Sequence, residues 1–249
     1  MEDKKRIVII GATSTIAEHC ARLWVTDTPV NLTLVGRDAD KTERVAADLQ
    51  VRSTQSVIQV LTVDFINPLA IQQLVEGIVD EGRVDIVLIA HGSLPDQAVC
   101  QQDLSVCHQE LTINGVSPVL FAEAFAGHMQ KANQGTLAII SSVAGDRGRK
   151  SNYIYGAAKG LVTGYAQGLQ HRFANTSVKV VLIKPGPTDT PMTAHLKQPV
   201  GLAQVEDVAK EIVSAINQGK PVVYTPAKWA VIMMVIRHLP NIIFNKLEI

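Results

Sequence analysis

The stretch GTLAIISSVAGDRGRKSNYIYGAAK, residues 135–159, decides how the rest of the chain is interpreted. Residues 137–140 form an apolar run typical of a buried strand, and the run stops at Ser141 and Ser142. A loop rich in glycine and charge follows, and then a predicted helix carries Tyr155 and Lys159. Residues four apart share one face of a helix, so the phenol and the ammonium can reach one site. A hydroxyl at the end of the strand, facing both groups, suits a site of proton transfer.

The composition limits the class of protein. The 249 residues fit one large α/β domain or two small ones, and 23 basic residues balance 23 acidic ones, which gives no indication of nucleic-acid binding. The three cysteines form no CxxC pair and are expected to be reduced, as in a cytoplasmic protein. The first apolar run is too short for a signal peptide, and no window reaches the ~18 apolar residues of a membrane span. The histidines show no metal-ligand spacing, so no metal is expected.

The beginning of the chain predicts a dinucleotide site. Residues 6–10 form a short apolar strand that ends in Gly11, and a helical pattern follows. Strand, glycine-containing turn and helix is the context in which backbone N–H groups and a helix N-terminus bind a pyrophosphate. Gly11 is kept, whereas Thr15 and Ala17 stand where glycine is expected, which makes this motif weak by itself. Ala17 is small enough for close packing of helix on strand, and Thr15 is tolerated if its φ is negative. The predicted phosphate-binding residues are Gly11, Thr13, Ser14, Thr15 and Ile16.

The second predicted strand, residues 31–35, favours NADP over NAD. It ends in Gly36, Arg37 and Asp38, and an arginine at this place can hold the 2′-phosphate of NADP bidentately. Gly36 is expected to leave room for that phosphate. Asp38 argues against NADP, because NAD sites place a carboxylate here. It is expected to cap the helix of residues 39–50 instead.

Strands and helices then alternate regularly, which predicts a doubly wound parallel sheet of about seven strands with ligands at the carboxyl ends of the strands. The further predicted strands are 57–63, 84–89, 137–140, 178–183 and 222–224. The predicted helices are 68–79, one or two within 104–129, and 205–217, the last of which Gly219 is expected to cap. Asp64 follows the third strand and either accepts from the adenine amino group or caps a helix. Turn-forming residues 184–191 predict a rigid loop that faces a ligand, and residues 192–201 a mobile lid.

Taken in order, these motifs resemble the classical short-chain dehydrogenase/reductase family over residues 5–225. Ser142 lies thirteen residues before Tyr155, and YGAAK matches the YxxxK motif of the family, whereas Tyr153 has Ala157 four residues on. Asn114 lies in TINGVSP, where the family keeps a fourth catalytic residue. The altered motif Ala90-His91-Gly92 stands where the family has Asn-Ala-Gly.

The resemblance implies a Rossmann-type domain, nicotinamide-dependent carbonyl or alcohol chemistry, and a homodimer or homotetramer. It implies Asn114, Ser142, Tyr155 and Lys159 as catalytic residues. Tyr155 would be the general acid, its pKa lowered by Lys159 and by the nicotinamide. Ser142 would orient the carbonyl, Lys159 would hold the ribose hydroxyls, and Asn114 would organise a water. Further contacts to the cofactor would come from Arg37, Asp64, Ala90, Gly92, Tyr155, Lys159, Pro185, Gly186, Thr188 and Thr190.

A narrower similarity concerns the substrate. The GATS opening, LVGRD, AHGSLPDQ and an apolar-basic tail are similar to bacterial envelope-glycan reductases, which resemble the reductase that completes epimerisation of decaprenylphosphoryl ribose. This similarity implies a keto-sugar on a polyprenyl phosphate. The basic loop 146–150 is either a solvated turn or a binding site for an anionic substrate. The alternatives are a soluble ketone, acyl or steroid-like substrate, or a non-catalytic NADP-binding regulator.

The tail, residues 227–249, is predicted as an element separate from the catalytic domain, residues 1–226. It is apolar with interspersed basic residues, and Pro240 interrupts it, so it is too short and broken to span a bilayer as one helix. It either packs in an oligomer interface or lies on the inner face of the membrane, as a peripheral contact of a cytoplasmic protein.

Overall fold

The computed structural model describes residues 4–194 and 201–247, and a parallel sheet lies at its centre. The strands are β1 (Arg6–Ile10), β2 (Asn31–Gly36), β3 (Val57–Thr62), β4 (Ile86–Ile89), β5 (Thr136–Ile140), β6 (Lys179–Pro185) and β7 (Val222–Thr225). Their order is β3-β2-β1-β4-β5-β6-β7 in one seven-stranded sheet. The strand order reverses between β1 and β4, which creates the crevice where such sheets bind ligands. The predicted doubly wound Rossmann-type sheet is confirmed.

Helices cover both faces of the sheet. They are α1 (Thr15–Asp27), α2 (Ala39–Arg52), α3 (Pro68–Asp80), α4 (Gln97–Gln102), α5 (Leu104–Leu111), α6 (Ser117–Ala132), α7 (Tyr153–Arg172), α8 (Val205–Gln218), α9 (Lys228–His238) and α10 (Asn241–Phe244). Ile7 and Ile9 of β1 pack with α1, α2 and α8, whereas Val8 and Ile10 pack with α3, α6 and α7. Successive side chains of a strand point to opposite faces, and both faces are buried here. This burial explains the uninterrupted apolar strands of the sequence.

The register brings the carboxyl ends of the strands to one edge. Ile10 pairs with Val35 of β2 and with Ile89 of β4, and Ile89 pairs with Ile139 of β5. Ile140 in turn pairs with Ile183 of β6. The segments that follow β1, β2, β4, β5 and β6 therefore leave the sheet along one line, where the candidate residues lie.

The region predicted as one or two helices, residues 104–129, contains a π-helical turn, Thr112–Val116, between α5 and α6. The extra residue in this turn changes the direction of the side chains that follow it, and such turns are frequent at functional sites. Asn114 lies within it. The short helix α4 was not predicted; Asp96 caps it by accepting from the backbone N–H groups of Ala98 and Val99 at 2.8 and 3.4 Å.

Three predicted helix ends can be compared with the structure. Asp38 caps α2 by accepting from Lys41 N at 3.0 Å, as expected. Gly219 ends α8 in the left-handed conformation with φ 63°, also as expected. The residue that caps α3 is Asn67 rather than Asp64, so the helix-cap interpretation of Asp64 is wrong.

The tail forms α9 and α10, with Pro240 between them. Trp229 packs directly on Gly186, where a Cβ atom would lie 2.0 Å from the indole Nε1. Met233 is buried as well. One face of α9 therefore packs on the sheet, while a division of the chain at residue 226 stays a prediction.

The predicted lid, residues 192–201, lies mostly outside the described residues. Its base is fixed by an isolated parallel bridge between Thr188 and Ala203. Ala203 N donates to Pro187 O at 3.0 Å, and Asp189 N donates to Ala203 O at 2.8 Å. The two sides of the loop are therefore held together where it leaves β6.

Candidate active site

The structure brings the four predicted catalytic side chains to one place. Ser142 forms a hydrogen bond with the Tyr155 side chain, and the Lys159 Nζ lies 5.8 Å from the centroid of the Tyr155 ring. A Cβ atom at Gly92 would lie 2.8 Å from Asn114 Oδ1 and 3.5 Å from Lys159 Nζ. The glycine therefore allows the fourth residue to approach the lysine.

Hydrogen bonds fix both the side chain and the backbone carbonyl of Lys159. Its Nζ donates to Ile140 O at 3.2 Å, at the last residue of β5. Its carbonyl accepts from Ser141 Oγ at 2.9 Å, and that hydroxyl also contacts Thr163 Oγ1 at 2.9 Å. A Cβ atom at Gly145 would lie 2.6 Å from the Lys159 carbonyl carbon, so α7 packs closely on the turn after β5. Ser141, which was not predicted, is part of this support.

The electrostatics of the pair differ from the expectation. Burial raises the pKa of the Tyr155 phenol to about 12, although the hydrogen bond to Ser142 acts in the opposite direction. Burial also lowers the pKa of the Lys159 ammonium to about 8. Removal from water disfavours the charged form of each group. The residues of the protein alone therefore do not produce the predicted lowering of the Tyr155 pKa.

Asn114 is fixed by two residues that the sequence analysis missed. Its Oδ1 accepts from Ser93 N at 2.8 Å, and its Nδ2 donates to Glu110 O at 3.0 Å, Glu110 Oε2 at 2.9 Å and Ser93 Oγ at 3.2 Å. Since an amide nitrogen has two hydrogens, its donors are fully used by the protein. The spacing of four between Glu110 and Asn114 was the available signal.

The turn after β1 forms a cradle beside the site. Gly11 has φ +85°, and a Cβ atom there would lie 2.6 Å from the Cβ and N of His91. Ser14 is the N-cap of α1, but its side chain makes no capping hydrogen bond. Among the described residues, Asn133 is the only non-glycine residue with positive φ, so Thr15 has the expected negative φ. Ala17 is fully buried in the core between α1 and the sheet, as its small size predicts.

This cradle fits a dinucleotide phosphate. Thr13 is exposed, and Thr15 and Ile16 begin α1, whose N-terminal N–H groups carry a partial positive charge. Ser14 has a free hydroxyl there. The sequence-predicted residues Gly11, Thr13, Ser14, Thr15 and Ile16 thus lie together at the edge of the sheet.

Arg37 is exposed after β2, and its side chain makes no hydrogen bond or ion pair within residues 4–194 and 201–247. It is therefore available for a phosphate. The expected role of Gly36 is wrong, because a Cβ atom there would lie 2.0 Å from Thr42 Oγ1. The glycine makes room for this threonine, which donates to Asp38 O at 2.7 Å, and not for a ligand. Asp64 is exposed after β3 and accepts from Ile66 N at 3.0 Å.

The Ala90-His91-Gly92 segment joins the cradle to the catalytic groups. Ala90 N donates to Ile10 O at 2.8 Å, which fixes the segment beside β1. His91 is buried against the rings of Phe65 and Phe121, and its Nε2 lies 2.9 Å from Ser117 Oγ. Burial, with the positive charges of Lys159 and Arg37, lowers the pKa of His91 to about 3. His91 is thus a neutral packing residue.

The predicted loop after β6 lies beside these groups. Thr188 is buried and its hydroxyl donates to Gly186 O at 3.0 Å, which leaves its backbone N–H as the group that can meet a ligand. The backbone N–H of Thr190 donates to Thr193 Oγ1 at 3.2 Å. Pro185 pairs with Thr225 of β7, so the start of the loop is anchored in the sheet.

The basic loop, residues 146–150, is attached to the protein at two points. Asp146 forms a buried ion pair with Lys184 and accepts from the Tyr224 hydroxyl at 2.7 Å. Burial and this contact raise the pKa of Tyr224 to about 12. These bonds connect the loop to the ends of β6 and β7.

Arg147 provides the second attachment, and it corrects the expectation of substrate binding for this residue. Its guanidinium donates to Ile236 O and Leu239 O at 2.6 Å each and to Asn241 Oδ1 at 2.9 Å, and it lies 3.8 Å from the centroid of the Phe244 ring. Arg147 therefore holds the tail. Arg149 makes no side-chain hydrogen bond or ion pair with any residue that the structure describes, and burial lowers its pKa.

The comparisons with known proteins agree with this arrangement. A family model described as short chain dehydrogenase matches residues 5–201. The chain belongs to the short-chain dehydrogenase family. An uncharacterized oxidoreductase of Mycobacterium tuberculosis H37Rv is 29% identical over 242 residues, 97% of this chain and 96% of the relative. Another, from Staphylococcus aureus USA300, is 30% identical over 221 residues, 88% of this chain and 93% of the relative.

Solved structures show the same fold. A short-chain dehydrogenase from Sphingobium yanoikuyae in complex with NADPH has a TM-score of 0.81 and 21% identity, covering 95% of this chain and 97% of the other. One from Burkholderia cenocepacia in complex with NADP has a TM-score of 0.82 and 16% identity, with both chains fully covered.

Two further findings concern ligands and membranes. Within the described ranges, no group of three or more His, Cys, Asp or Glu side chains could hold a metal ion. No helix of those ranges has the length and apolar character needed to cross a bilayer. The cysteines are free, with Cys20 and Cys100 buried.

Proposed function

We propose that this short-chain dehydrogenase reduces a carbonyl, or oxidises the corresponding secondary alcohol, with NADPH as its cofactor. The observation that carries the proposal is the convergence of Ser142, Tyr155 and Lys159 on one edge of the sheet, next to the cradle after β1. Arg37, free of protein partners among the described residues, would bind the 2′-phosphate. The two solved structures above contain NADPH and NADP, which supports this choice over NAD.

Each of the chain's own groups has a defined task in the proposed reaction. When bound, NADPH supplies the hydride that reaches the carbonyl carbon. Ser142 Oγ accepts from Ala144 N at 3.1 Å and is hydrogen-bonded to Tyr155, and a bound substrate would receive its hydrogen at the carbonyl oxygen. Tyr155 gives its phenolic proton to that oxygen as negative charge develops there.

Lys159 stabilises the resulting phenolate through its positive charge and would also hold the ribose hydroxyls. Asn114 is held by its bonds to Ser93 and Glu110, and it fixes the backbone next to Gly92, beside Lys159. Because the donors of its side chain are used, Asn114 would hold a water of the proton path through a carbonyl oxygen, either Oδ1 or that of the backbone. In the direction of oxidation the same groups act in reverse, with Tyr155 as the base.

The cofactor would be held by the residues around the cradle. Asp64 would accept from the adenine amino group with the oxygen that Ile66 N does not use. Ala90 and Gly92 would line the ribose, and Pro185, Gly186, Thr188 and Thr190 the nicotinamide amide, with Thr188 acting through its backbone N–H.

The experiment is a screen of ketones, keto-sugars and acyl substrates, in which NADPH oxidation is followed by absorbance. Tyr155→Phe is expected to lower kcat at least 1,000-fold, in the range of a lost general acid and its oriented hydrogen bond. Tyr153→Phe is the matched control, since Tyr153 begins the same helix and is 40% exposed. Full turnover by Tyr155→Phe would refute the assignment.

The cofactor is tested separately by fluorescence titration. Arg37→Ala should weaken NADPH binding about 10- to 100-fold, as expected for the loss of a charged bidentate contact, and leave NADH binding unchanged. Equal losses for both nucleotides would contradict the role of Arg37. Tight NADPH binding without turnover on any substrate of the screen would instead support a regulator.

For the substrate we propose a keto-sugar on a polyprenyl phosphate, with a soluble ketone, acyl or steroid-like compound as the alternative. The support is the narrower sequence similarity together with Arg149, the partly buried cation of the basic loop that has no protein partner in the described structure. Arg149→Glu should raise KM for a phosphorylated substrate more than for its dephosphorylated analogue. An equal change in both would remove the support for an anionic substrate.

The oligomeric state also remains part of the proposal. A homodimer or homotetramer is expected from the family resemblance, and light scattering of the full chain measures it. A cytoplasmic protein with a peripheral contact to the membrane would suit a lipid-linked substrate.

A further inference from the structure

Helix α9 has two apolar faces, although only one of them packs on the protein. Trp229 and Met233 face the sheet, where Trp229 contacts Gly186 and Met233 is 4% exposed. Val231, Met234 and Val235 point away, with 62, 57 and 53% of their surfaces exposed. An ordinary surface helix shows polar residues on that side.

The exposed apolar side chains continue beyond α9. Ile242 of α10 is 74% exposed and Ile243 is 48% exposed. Together these residues form what we call the tail surface: Val231, Ile232, Met234, Val235, Ile242, Ile243 and Leu247. Soluble monomers rarely expose so many neighbouring apolar side chains unless the surface binds something.

The charges of the tail favour one occupant. The tail, residues 227–249, contains three basic residues, Lys228, Arg237 and Lys246, and one acidic residue, Glu248. Lys228 lies three residues before Val231 on the same face of α9, and it is exposed. A second copy of this chain is the other possible occupant. Two copies that met through this face around a twofold axis would bring their basic residues together, and the repulsion between like charges is unfavourable. An anionic lipid surface offers apolar chains and opposite charge at once.

We propose that the tail surface docks on an anionic lipid membrane, with its apolar side chains in the interface and its lysines at the headgroups. Arg147 connects this surface to the segment between Ser142 and Tyr155, because it binds the carbonyls at the end of α9 and the ring of Phe244 in α10. Docking of this surface would therefore hold the segment between Ser142 and Tyr155 close to the membrane. The proposal names a partner for the proposed reductase, but its test does not depend on turnover.

The test is co-sedimentation of the full chain with vesicles of phosphatidylcholine alone or with about one third phosphatidylglycerol. Binding is expected to the anionic vesicles, to fall in high salt and to be weak with the neutral ones. Lys228→Ala should lower the partition coefficient about fivefold, the equivalent of about 1 kcal/mol per basic residue at the surface. Val235→Glu should lower it at least tenfold, since a carboxylate replaces an apolar group at the interface.

The matched control is Val51→Glu, at a position that is 84% exposed near the end of α2, on a different part of the surface. It should bind vesicles like the unchanged chain, and unaltered NADPH binding should show that both variants are folded. Light scattering of the same proteins measures their oligomeric state. The proposal is refuted if Val235→Glu dissociates an oligomer and the unchanged chain does not bind anionic vesicles. Equal binding of Val235→Glu and the unchanged chain to anionic vesicles would also overturn it.

Discussion

Replacing Arg147 by alanine should release the tail from the catalytic loop. The guanidinium makes three good hydrogen bonds to the tail, at 2.6 Å to Ile236 O, 2.6 Å to Leu239 O and 2.9 Å to Asn241 Oδ1. At about 1 kcal/mol for each bond of this partly exposed group, the loss is about 3 kcal/mol, which raises local opening roughly 100-fold. The contact with Phe244 adds to this loss.

Hydrogen exchange of backbone amides measures this opening directly. In Arg147→Ala, amides of α9 and α10 should exchange roughly 100-fold faster, while amides of the central strands keep their protection, because opening is local. Arg147→Lys should fall between, since an ammonium lacks the planar fork that reaches several carbonyls. Arg149→Ala is the control, because Arg149 has no side-chain partner in the described structure and sits in the same loop. Unchanged protection of the tail in Arg147→Ala, or equal loss in Arg149→Ala, would refute the reasoning.

The remaining predictions concern three positions. Gly11→Ala should destabilise the protein by about 2 kcal/mol or more and lower its melting temperature, because φ is +85° and the new Cβ atom would lie 2.6 Å from atoms of His91. Gly148→Ala is the control and should be close to neutral, because a Cβ atom at Gly148 would point into open space. Glu110→Ala should lower kcat about tenfold with little change in NADPH affinity, because Asn114 loses an acceptor, and Glu110→Gln should restore most of it; an unchanged kcat would contradict the positioning role. Lys159 has its pKa lowered from 10.5 to about 8, so the unfolded chain binds more protons between those pH values and the stability contribution of Lys159 rises with pH there. Urea unfolding measures the difference in the free energy of unfolding between the unchanged protein and Lys159→Met. This difference should rise by up to about 3 kcal/mol across that pH range, and a fall would be inconsistent with burial of the charge.

Most of the fold could be predicted because the physical signal was local. Strands buried on both faces need uninterrupted apolar runs, and the residues after each run had to lie along one edge of a parallel sheet. The spacing of Tyr155 and Lys159 on one helix predicted their shared site for the same reason.

The errors have three different physical causes. Gly36 is small because of Thr42, and no pattern in the sequence separates that cause from space for a ligand. Arg147 looked like a cation for substrate because its partners lie about ninety residues further on. The spacing of four between Glu110 and Asn114 was visible in the sequence, but the π-helical turn that contains Asn114 was not.

The attachment of the tail to the catalytic loop has a practical consequence for anyone who produces this protein. A bulky label attached within α9 or α10 would sit on a segment that Arg147 binds, and it would pull on the loop between Ser142 and Tyr155. The start of β1 lies at the opposite edge of the sheet from the catalytic groups. Labels placed beside the start of β1 are therefore the safer choice for activity screens.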